Sequence, residues 1–369
     1  MLMTGLTVRG VFLFLDLDDV YSLENLYKSA NECARGVRWK MSVQMFEIDK
    51  PLWLSKIYHQ VHGFSYKPMG FKCFSIVERG KLRHIKSVHI SERTVQKVLC
   101  KHALKKTLIP KLIFDNYASI EGKGTDMAIA RLKSQLSKHY RKYGLKGGIL
   151  LIDIYNFFGT IPHNQLLTDL KNKIRCSDLQ FYISMFIDAF PGYKGLGLGS
   201  EISQISAMYY PTVVDNMITK ELHFTKYGRY SDDSWVISDD LEALEWLKEV
   251  IDLKYQELGL QINRDKTRIQ PFRGGDFEIL KKRWRIESNG KIVVRLTRQN
   301  IRKEFKKIDQ QRLEYDQGIR TLESIWCSHI SWKGYAKKYN AYDSIGAVDR
   351  YFYKVMDGLD FSEYSKGKV

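Results

Sequence analysis

The run from Gly148 to Ile154 is apolar throughout except for one carboxylate, Asp153. An uninterrupted apolar run of this length is typical of a strand buried on both faces, and the acid then lies where the strand ends. A second strand pattern, Arg229 to Ile237, is a hairpin that carries Asp232 and Asp233 at its tip. If the two strands are neighbours, their carboxylates converge. We therefore expect an α+β unit built around this edge of a sheet.

Helical periodicity flanks that unit on both sides. Ser22 is a candidate N-cap for a helical region over residues 20–60. The remaining predictions are helices at 92–112, 125–143, 163–174, 177–190, 203–222 and 241–258, strands at 71–77 and 82–88, a short strand with Ile262, a strand pair after Asp276, a glycine-rich loop from Gly192 to Gly199, and a basic helical C-terminal region.

The charge of the chain points to a polyanionic partner. Its 369 residues carry a formal net charge of +17, and nucleic acid is the usual relief for such self-repulsion. A solvated basic surface or a membrane-surface binder remains an alternative at this point. The apolar stretch Val11 to Leu15 is too short to span a membrane, so no membrane association and a cytoplasmic location are expected. Five single cysteines without a CxxC pair favour neither zinc nor a disulfide framework.

Carboxylates at strand ends suit the chemistry of phosphodiester synthesis. That reaction uses two divalent ions about 3.5–4 Å apart, and magnesium prefers hard oxygen ligands. Asp153 and Asp232 are candidates for both ions, with the backbone carbonyl of Ile154 as an additional ligand. Taken alone, an Asp-Asp pair is also an ordinary turn sequence. The assignment therefore depends on the segments around these residues.

Those segments, in order, resemble the blocks of the reverse transcriptases over residues 22–290. The matching segments are Ile152-Asp153-Ile154-Tyr155-Asn156-Phe157-Phe158 with Ile161 and His163, Gly195 to Ser200 with Ser203-Gln204, Tyr230-Ser231-Asp232-Asp233, Gly259 to Asn263 with Lys266-Thr267, Phe277 to Trp284, and upstream Lys81, Arg83, Ile85, Arg93 and Tyr117-Ala118.

The resemblance implies a role for each matched residue. Asp153, Ile154, Asp232 and Asp233 would be the metal ligands, and Lys266 would protonate the leaving pyrophosphate. The residues implied at the bound nucleotide are Lys81 and Arg83 on the triphosphate, Phe158 against a ribose 2′-hydroxyl, and Leu198, Gly199 and Gln204 in the substrate loop.

The substrate loop also suggests a subfamily. Retron and group II intron enzymes carry Pro-Gln-Gly there, whereas this chain has Leu198-Gly199 followed by Ser203-Gln204. That pattern resembles the reverse transcriptases of diversity-generating retroelements, which copy with errors, above all opposite template adenine. Ser231 and Gly197 depart from the usual Met and Pro, so a retron or phage-defence enzyme stays open as the alternative.

The expected protein is a right-hand polymerase. Residues 1–21 would be an N-terminal extension, 22–146 fingers, 147–290 palm and 291–369 a basic helical thumb. Its partners would be an RNA template, a DNA or RNA primer, dNTPs, two Mg²⁺ ions for which Mn²⁺ can substitute, and, in the mutagenic subfamily, a basic accessory oligomer. An alternative of another class is a catalytically inactive polymerase relative that only binds RNA.

Overall fold

The structure is a computed structural model that describes residues 15–78 and 81–365. Residues 1–14 of the predicted N-terminal extension and the tip of the first hairpin lie outside the described residues. The side chains of Lys81 and Arg83, predicted to clamp the triphosphate, also lie outside them, although the backbone of both residues is described.

Helices and short strands alternate along the chain. The first half contains α1 (Leu17–Val20), α2 (Leu23–Ala34), α3 (Met41–Ile48), α4 (Lys50–His62), β1 (Lys72–Glu78), β2 (Lys81–Ser87), α5 (Ile90–Leu99), a π-helical turn (Cys100–Leu104), α6 (Lys105–Leu108), a 3-10 turn (Ile109–Lys111), α7 (Thr125–Tyr143), β3 (Gly148–Asp153), α8 (Phe157–Thr160), α9 (His163–Lys173) and α10 (Ser177–Asp188).

The second half is organised in the same way. It contains α11 (Glu201–Tyr209), α12 (Thr212–Asn216), a π-helical turn (Met217–Glu221), β4 (Tyr227–Tyr230), β5 (Asp233–Ser238), α13 (Leu241–Glu257), β6 (Arg268–Pro271), a 3-10 turn (Phe272–Gly274), β7 (Phe277–Ile279), β8 (Lys282–Ile286), β9 (Ile292–Leu296), α14 (Arg298–Asp316), α15 (Leu322–Lys337), α16 (Tyr342–Val355) and α17 (Ser362–Ser365).

The described strands form three small sheets. β1 and β2 make an antiparallel hairpin in which Lys72 pairs with Ser87. The central sheet has the order β4-β5-β3-β6, and the third sheet has the order β7-β8-β9. All six residues of β3 are buried, as its apolar sequence predicts. Helices and small antiparallel sheets thus mix in one chain, which confirms the expected α+β class.

The chain divides into two compact units. The first comprises the described residues up to Ala128 together with Ile152–Ser234 and Trp246–Thr267. Its helices α2, α4, α5 and α10 enclose a core in which two buried tyrosines have paired hydroxyls. Tyr182 donates to the carbonyl of Val61 and Tyr21 donates to that of Val95.

The second unit comprises Ile129–Leu151, Trp235–Glu245 and the described residues from Arg268 onward. One apolar cluster of this unit joins α14, α15 and α16 through residues such as Ile308, Ile325 and Phe352. Most of the tryptophan and tyrosine rings in this part of the sequence therefore take part in packing. No helix within residues 15–78 and 81–365 has the length and apolarity needed to cross a membrane.

Most of the predicted elements are confirmed, and the differences have local causes. The Ser22 hydroxyl caps α2 by accepting from the N–H of Asn25. The helix expected at 203–222 is instead interrupted at Pro211, which supplies no N–H for a continuous ladder. The strand expected at Ile262 is a single bridge to Ile154. The strand pair expected after Asp276 has three members, and β6 was not predicted.

Candidate active site

The predicted catalytic acids meet at the ends of neighbouring strands. β3 ends at Asp153, β5 begins at Asp233, and the two strands are adjacent in the central sheet. The N–H of Ile154 donates to the carbonyl oxygen of Asp232 over 3.2 Å. The backbone that carries the first acid is therefore hydrogen-bonded directly to the turn that carries the second, although 79 positions separate them in the sequence.

A lysine completes this group from a third segment. The Lys266 ammonium donates to both carboxylate oxygens of Asp153, at 2.9 and 2.7 Å. The backbone of the same segment is tied to the strand end, because the N–H of Asn263 donates to the Asp153 carbonyl over 2.7 Å. The hydroxyl of Thr267 accepts from the Asp153 N–H over 3.2 Å. The structure thus places Lys266, which the resemblance assigns to the leaving pyrophosphate, directly against the Asp153 carboxylate.

The charges of these groups shift one another's titration. Burial raises the pKa of Asp232, and the negative charge of Asp153 raises it further. Hydrogen bonds from its own N–H and from the Ser231 hydroxyl, and the charge of Lys266, oppose that rise. Burial alone would lower the pKa of Lys266, but the contacts with Asp153 more than reverse this, so the net pKa lies above its ordinary value. The lysine therefore stays charged beside the acids.

The donor atoms at this edge suit magnesium. Carboxylate oxygens of Asp153 and Asp232 are hard ligands. Burial raises the pKa of Asp232, and the neighbouring charge of Asp153 adds to that rise. The carbonyl of Ile154, the further predicted ligand, belongs to the residue that directly follows Asp153 at this edge of the sheet. Within the described residues no group of three or more His, Cys, Asp or Glu side chains already forms a metal cage. The ammonium of Lys266 occupies both oxygens of Asp153 instead.

The glycine-rich loop at 192–199, hereafter the substrate loop, is fixed by backbone hydrogen bonds to the segment after Asp153. The N–H of Leu196 donates to the carbonyl of Phe158 over 2.6 Å, and the N–H of Gly195 donates to that of Ile161 over 2.8 Å. A buried histidine, His163, holds the loop from the same side through its ring Nε2, 2.8 Å from the Gly195 carbonyl. Phe158 is half-buried, with its ring edge-on to Phe157.

The other side of the substrate loop contacts the β1–β2 hairpin. The N–H of Lys86 donates to the Leu198 carbonyl over 3.1 Å, and Ile85 forms a parallel bridge with Leu198. Gly199 follows with φ +107°, and a Cβ there would lie 3.1 Å from Cγ2 of Ile85 and 3.3 Å from the Lys86 carbonyl oxygen. Glycine is needed at this position both for its backbone angle and for the close approach of β2.

A polar pocket of about 200 Å³ adjoins this contact. Gly199 and Gln204 line it together with Arg93, Gln96 and Lys105. Two residues that the sequence assigns to nucleotide binding therefore share one cavity with a guanidinium group. Leu198 contacts β2 through its backbone, and its side chain is half-buried.

Charged and polar side chains behind the substrate loop hold its C-terminal end. The buried hydroxyl of Ser200 donates to the side-chain oxygen of Gln96 over 2.8 Å. Glu201 binds Lys105 at 2.5 Å and Lys97 at 3.1 Å. Burial would raise the pKa of Glu201, yet the two lysines lower it below its ordinary value overall.

The sequence prediction missed an ion pair beneath the catalytic turn. Arg229, two residues before Ser231, is fully buried and forms an ion pair with an equally buried Asp215 on α12. The signal in the sequence was a charged residue inside an otherwise buried strand pattern, since such residues are almost never buried unless paired.

The comparison with known families agrees with this geometry. The sequence profile described as reverse transcriptase (RNA-dependent DNA polymerase) matches residues 67–282, which is more than half of the chain. No curated protein matches the chain. Reverse transcriptases act on a nucleic-acid template, a primer and nucleotides, and generally use divalent metal ions, typically Mg²⁺. The chain belongs to the reverse transcriptase family and is an RNA-directed DNA polymerase, a nucleotidyltransferase.

Proposed function

We propose that this chain extends a primer 3′-hydroxyl with dNTPs on an RNA template by two-magnesium nucleotidyl transfer at Asp153, Asp232 and Asp233. The observation that carries the proposal is the hydrogen bond between Ile154 and the Asp232 carbonyl, since it joins the two acid-bearing segments at one edge. Asp153 and Asp232 would hold both ions, Asp233 would support them, and the Ile154 carbonyl would be a further ligand. When bound, the ions would lower the pKa of the primer hydroxyl and offset the charge of the leaving pyrophosphate.

The protein's own groups would orient the reactants around that edge. Lys266 stays protonated beside Asp153 and would hold that carboxylate before passing a proton to pyrophosphate. Lys81 and Arg83 would clamp the triphosphate, with Arg83 acting as a bidentate fork. Phe158 would stand against a ribose 2′-hydroxyl and so favour dNTPs over NTPs.

The substrate loop would form the floor of the nucleotide site. Its backbone is held between the segment after Asp153 and strand β2, so that Leu198 and Gly199 keep a fixed position relative to both. Gln204 follows on α11. Orientation of this kind supplies much of the rate of a two-substrate reaction. We assign residues 22–146 to fingers, 147–290 to palm and 291–369 to a thumb whose basic and aromatic residues grip the template–primer backbone.

We further propose that copying is error-prone and serves a diversity-generating retroelement. An aliphatic Leu198 cannot make the hydrogen bond that a Gln would offer to the incoming nucleotide. The difference in binding free energy between a matched and a mismatched nucleotide is therefore smaller. A basic accessory oligomer would then be a partner. The alternative subfamily is a retron or phage-defence enzyme, which stays open because Ser231 and Gly197 stand where Met and Pro are usual.

Incorporation of dTTP on poly(rA)–oligo(dT) tests the catalytic assignment. Asp232→Asn removes a negative charge with little change of shape and should abolish incorporation, while the protein still binds the primer–template. The matched control is Asp188→Asn, an exposed aspartate at the end of α10 that should leave the rate unchanged. If wild type and Asp232→Asn incorporate equally little, the chain is the inactive RNA-binding relative and the proposal fails.

Sequencing of cDNA made in vitro tests the subfamily. Errors concentrated opposite template adenine support the mutagenic assignment. Errors spread evenly over the four template bases contradict it and favour the retron or phage-defence alternative. A neighbouring pair of template and variable repeats in the genome would support the same assignment independently.

A further inference from the structure

The ion pair of Arg229 and Asp215 lies directly beneath the catalytic turn. Both side chains are completely shielded from water, and shielding a charged pair is costly unless every hydrogen-bonding group finds a partner. Nε of Arg229 donates to Oδ1 of Asp215 at 2.9 Å and Nη2 donates to Oδ2 at 2.7 Å. This fork-to-fork arrangement fixes the plane of the guanidinium as well as its position.

The rest of the cluster holds the pair in the same orientation. Nη2 of Arg229 also donates to the Met208 carbonyl over 2.8 Å, and the Tyr227 hydroxyl donates to Oδ1 of Asp215 over 2.7 Å. The backbone of Arg229 is tied as well, because its N–H donates to the Asp115 carbonyl over 2.9 Å. Arg229 is therefore held through its backbone N–H and through side-chain hydrogen bonds to the Asp215 carboxylate and to the Met208 carbonyl.

The remaining nitrogen of the guanidinium points at the turn. Nη1 of Arg229 donates to the carbonyl oxygen of Ser231 over 3.3 Å. Ser231 has φ +60°, a left-handed conformation that a residue with a Cβ adopts only at a cost in free energy. The hydrogen bond from Arg229 to the Ser231 carbonyl offsets that cost, because it stabilises the peptide orientation that goes with the left-handed φ of Ser231.

The peptide that carries this carbonyl also carries the N–H of Asp232. Because a peptide unit is planar, fixing the oxygen fixes the direction of that N–H, and the N–H interacts with the carboxylate of Asp232 itself. The carbonyl of Asp232 in turn accepts from Ile154. The guanidinium, the Ser231–Asp232 peptide and the acid thus form one chain of contacts.

We propose that Arg229, held by Asp215, is a positioning residue. It keeps Ser231 in the left-handed conformation, which fixes the Ser231–Asp232 peptide and so directs the Asp232 carboxylate toward Asp153. The proposal rests on the catalytic role assigned to Asp232 above. It predicts that Arg229 contributes to the turnover step and to the order of the turn, and contributes little to binding of primer and template.

The test begins with Arg229→Lys, which keeps the positive charge. A lysine lacks the separate guanidinium nitrogens with which Arg229 donates to the Asp215 carboxylate and to the Ser231 carbonyl at the same time. We expect faster hydrogen–deuterium exchange in the peptide spanning 229–234 of the protein alone. We also expect kcat to fall by about 30- to 100-fold, as for a displaced catalytic group, with KM for dTTP and primer–template affinity within about twofold. Should this variant not fold, Asp215→Asn, which weakens the fork, replaces it, with a loss of about three- to tenfold in kcat.

A second substitution separates positioning from general stability. Glycine adopts the left-handed conformation without strain, so Arg229→Lys should reduce kcat less in a Ser231→Gly background than in wild type, while it lowers the unfolding temperature equally in both. Comparison within the Ser231→Gly background cancels the loss of the Ser231 hydroxyl bond to Asp232. Tyr227→Phe is the matched control, because it removes a hydrogen bond to Asp215 and leaves the Arg229 side chain and its bond to the Ser231 carbonyl in place. It should lower the unfolding temperature and leave kcat within about twofold of wild type.

Two outcomes would overturn the proposal. One is a loss of kcat in Tyr227→Phe as large as that in Arg229→Lys, which would make the cluster a purely structural support. The other is unchanged exchange of the 229–234 peptide in Arg229→Lys. Failure of the catalytic assignment is a different result, since an active Asp232→Asn variant would refute it whatever the exchange measurement gives.

Discussion

Substitution of Gly199 by alanine tests whether the contact between the substrate loop and strand β2 matters for nucleotide use. The φ of +107° lies outside the left-handed region that alanine tolerates, so strain of about 2–3 kcal/mol is expected. The added Cβ would also press on Ile85 Cγ2 at 3.1 Å and on the Lys86 carbonyl oxygen at 3.3 Å.

The loop can escape this strain by leaving β2. It then gives up the Lys86–Leu198 hydrogen bond, which is worth about 1 kcal/mol. The productive loop conformation is therefore disfavoured by the difference, about 1–2 kcal/mol, or roughly 5- to 30-fold in population. The overall fold loses only the hydrogen bond, so the unfolding temperature should fall by only about 1–2 °C.

The assay is kcat/KM for dTTP on poly(rA)–oligo(dT), which should fall by about 5- to 30-fold. Two glycines serve as controls. Gly124→Ala meets no atom within 4 Å and has no positive φ, so it should be neutral. Gly36→Ala, outside the substrate loop, carries a φ of +76° in open space, and should lower stability with little effect on kcat/KM. Wild-type kcat/KM in Gly199→Ala would refute the reasoning.

Three further predictions follow from the same site. Leu198→Gln should reduce misincorporation opposite template adenine by about tenfold, because the glutamine can hydrogen-bond the incoming nucleotide. Sequencing of the cDNA measures the error rate, and substitution of the exposed Leu253 by glutamine is the control. An unchanged error rate in Leu198→Gln would contradict the prediction. Lys266→Ala should lower the single-turnover rate by about 100-fold, and Lys266→Arg should be equally slow because arginine does not release its proton. A fast arginine variant would show that the residue only orients the Asp153 carboxylate and is not a proton donor. The lowered pKa of Glu201 stabilises the fold above the ordinary pKa of the carboxyl, and this stability is lost as pH falls through the lower folded value. Between about pH 6 and 3, the free energy of unfolding measured in urea should therefore fall less in Glu201→Gln than in wild type. Equal pH dependence of the free energy of unfolding in the two proteins would contradict the prediction.

Local sequence signals predicted much of the secondary structure. The Ser22 cap, the helix over 125–143 and the strand that ends at Asp153 are each specified by residues within one or two turns or a single strand, so periodicity and capping suffice to find them. The order of the motifs likewise indicated the reverse transcriptase family from the sequence. Where prediction failed locally, as at Pro211, a single residue without an N–H overrode an otherwise helical pattern.

Contacts between distant segments were decided only by the tertiary structure. Periodicity could not show that Leu198 would pair with Ile85, or that Lys266 would bind both oxygens of Asp153, because these partners are more than 110 residues apart in the chain. The sequence determined which residue types were present for the chemistry and on which elements they lie. The fold decided which of them meet, since hydrogen bonding and burial depend on the packing of the whole unit and not on neighbours along the chain.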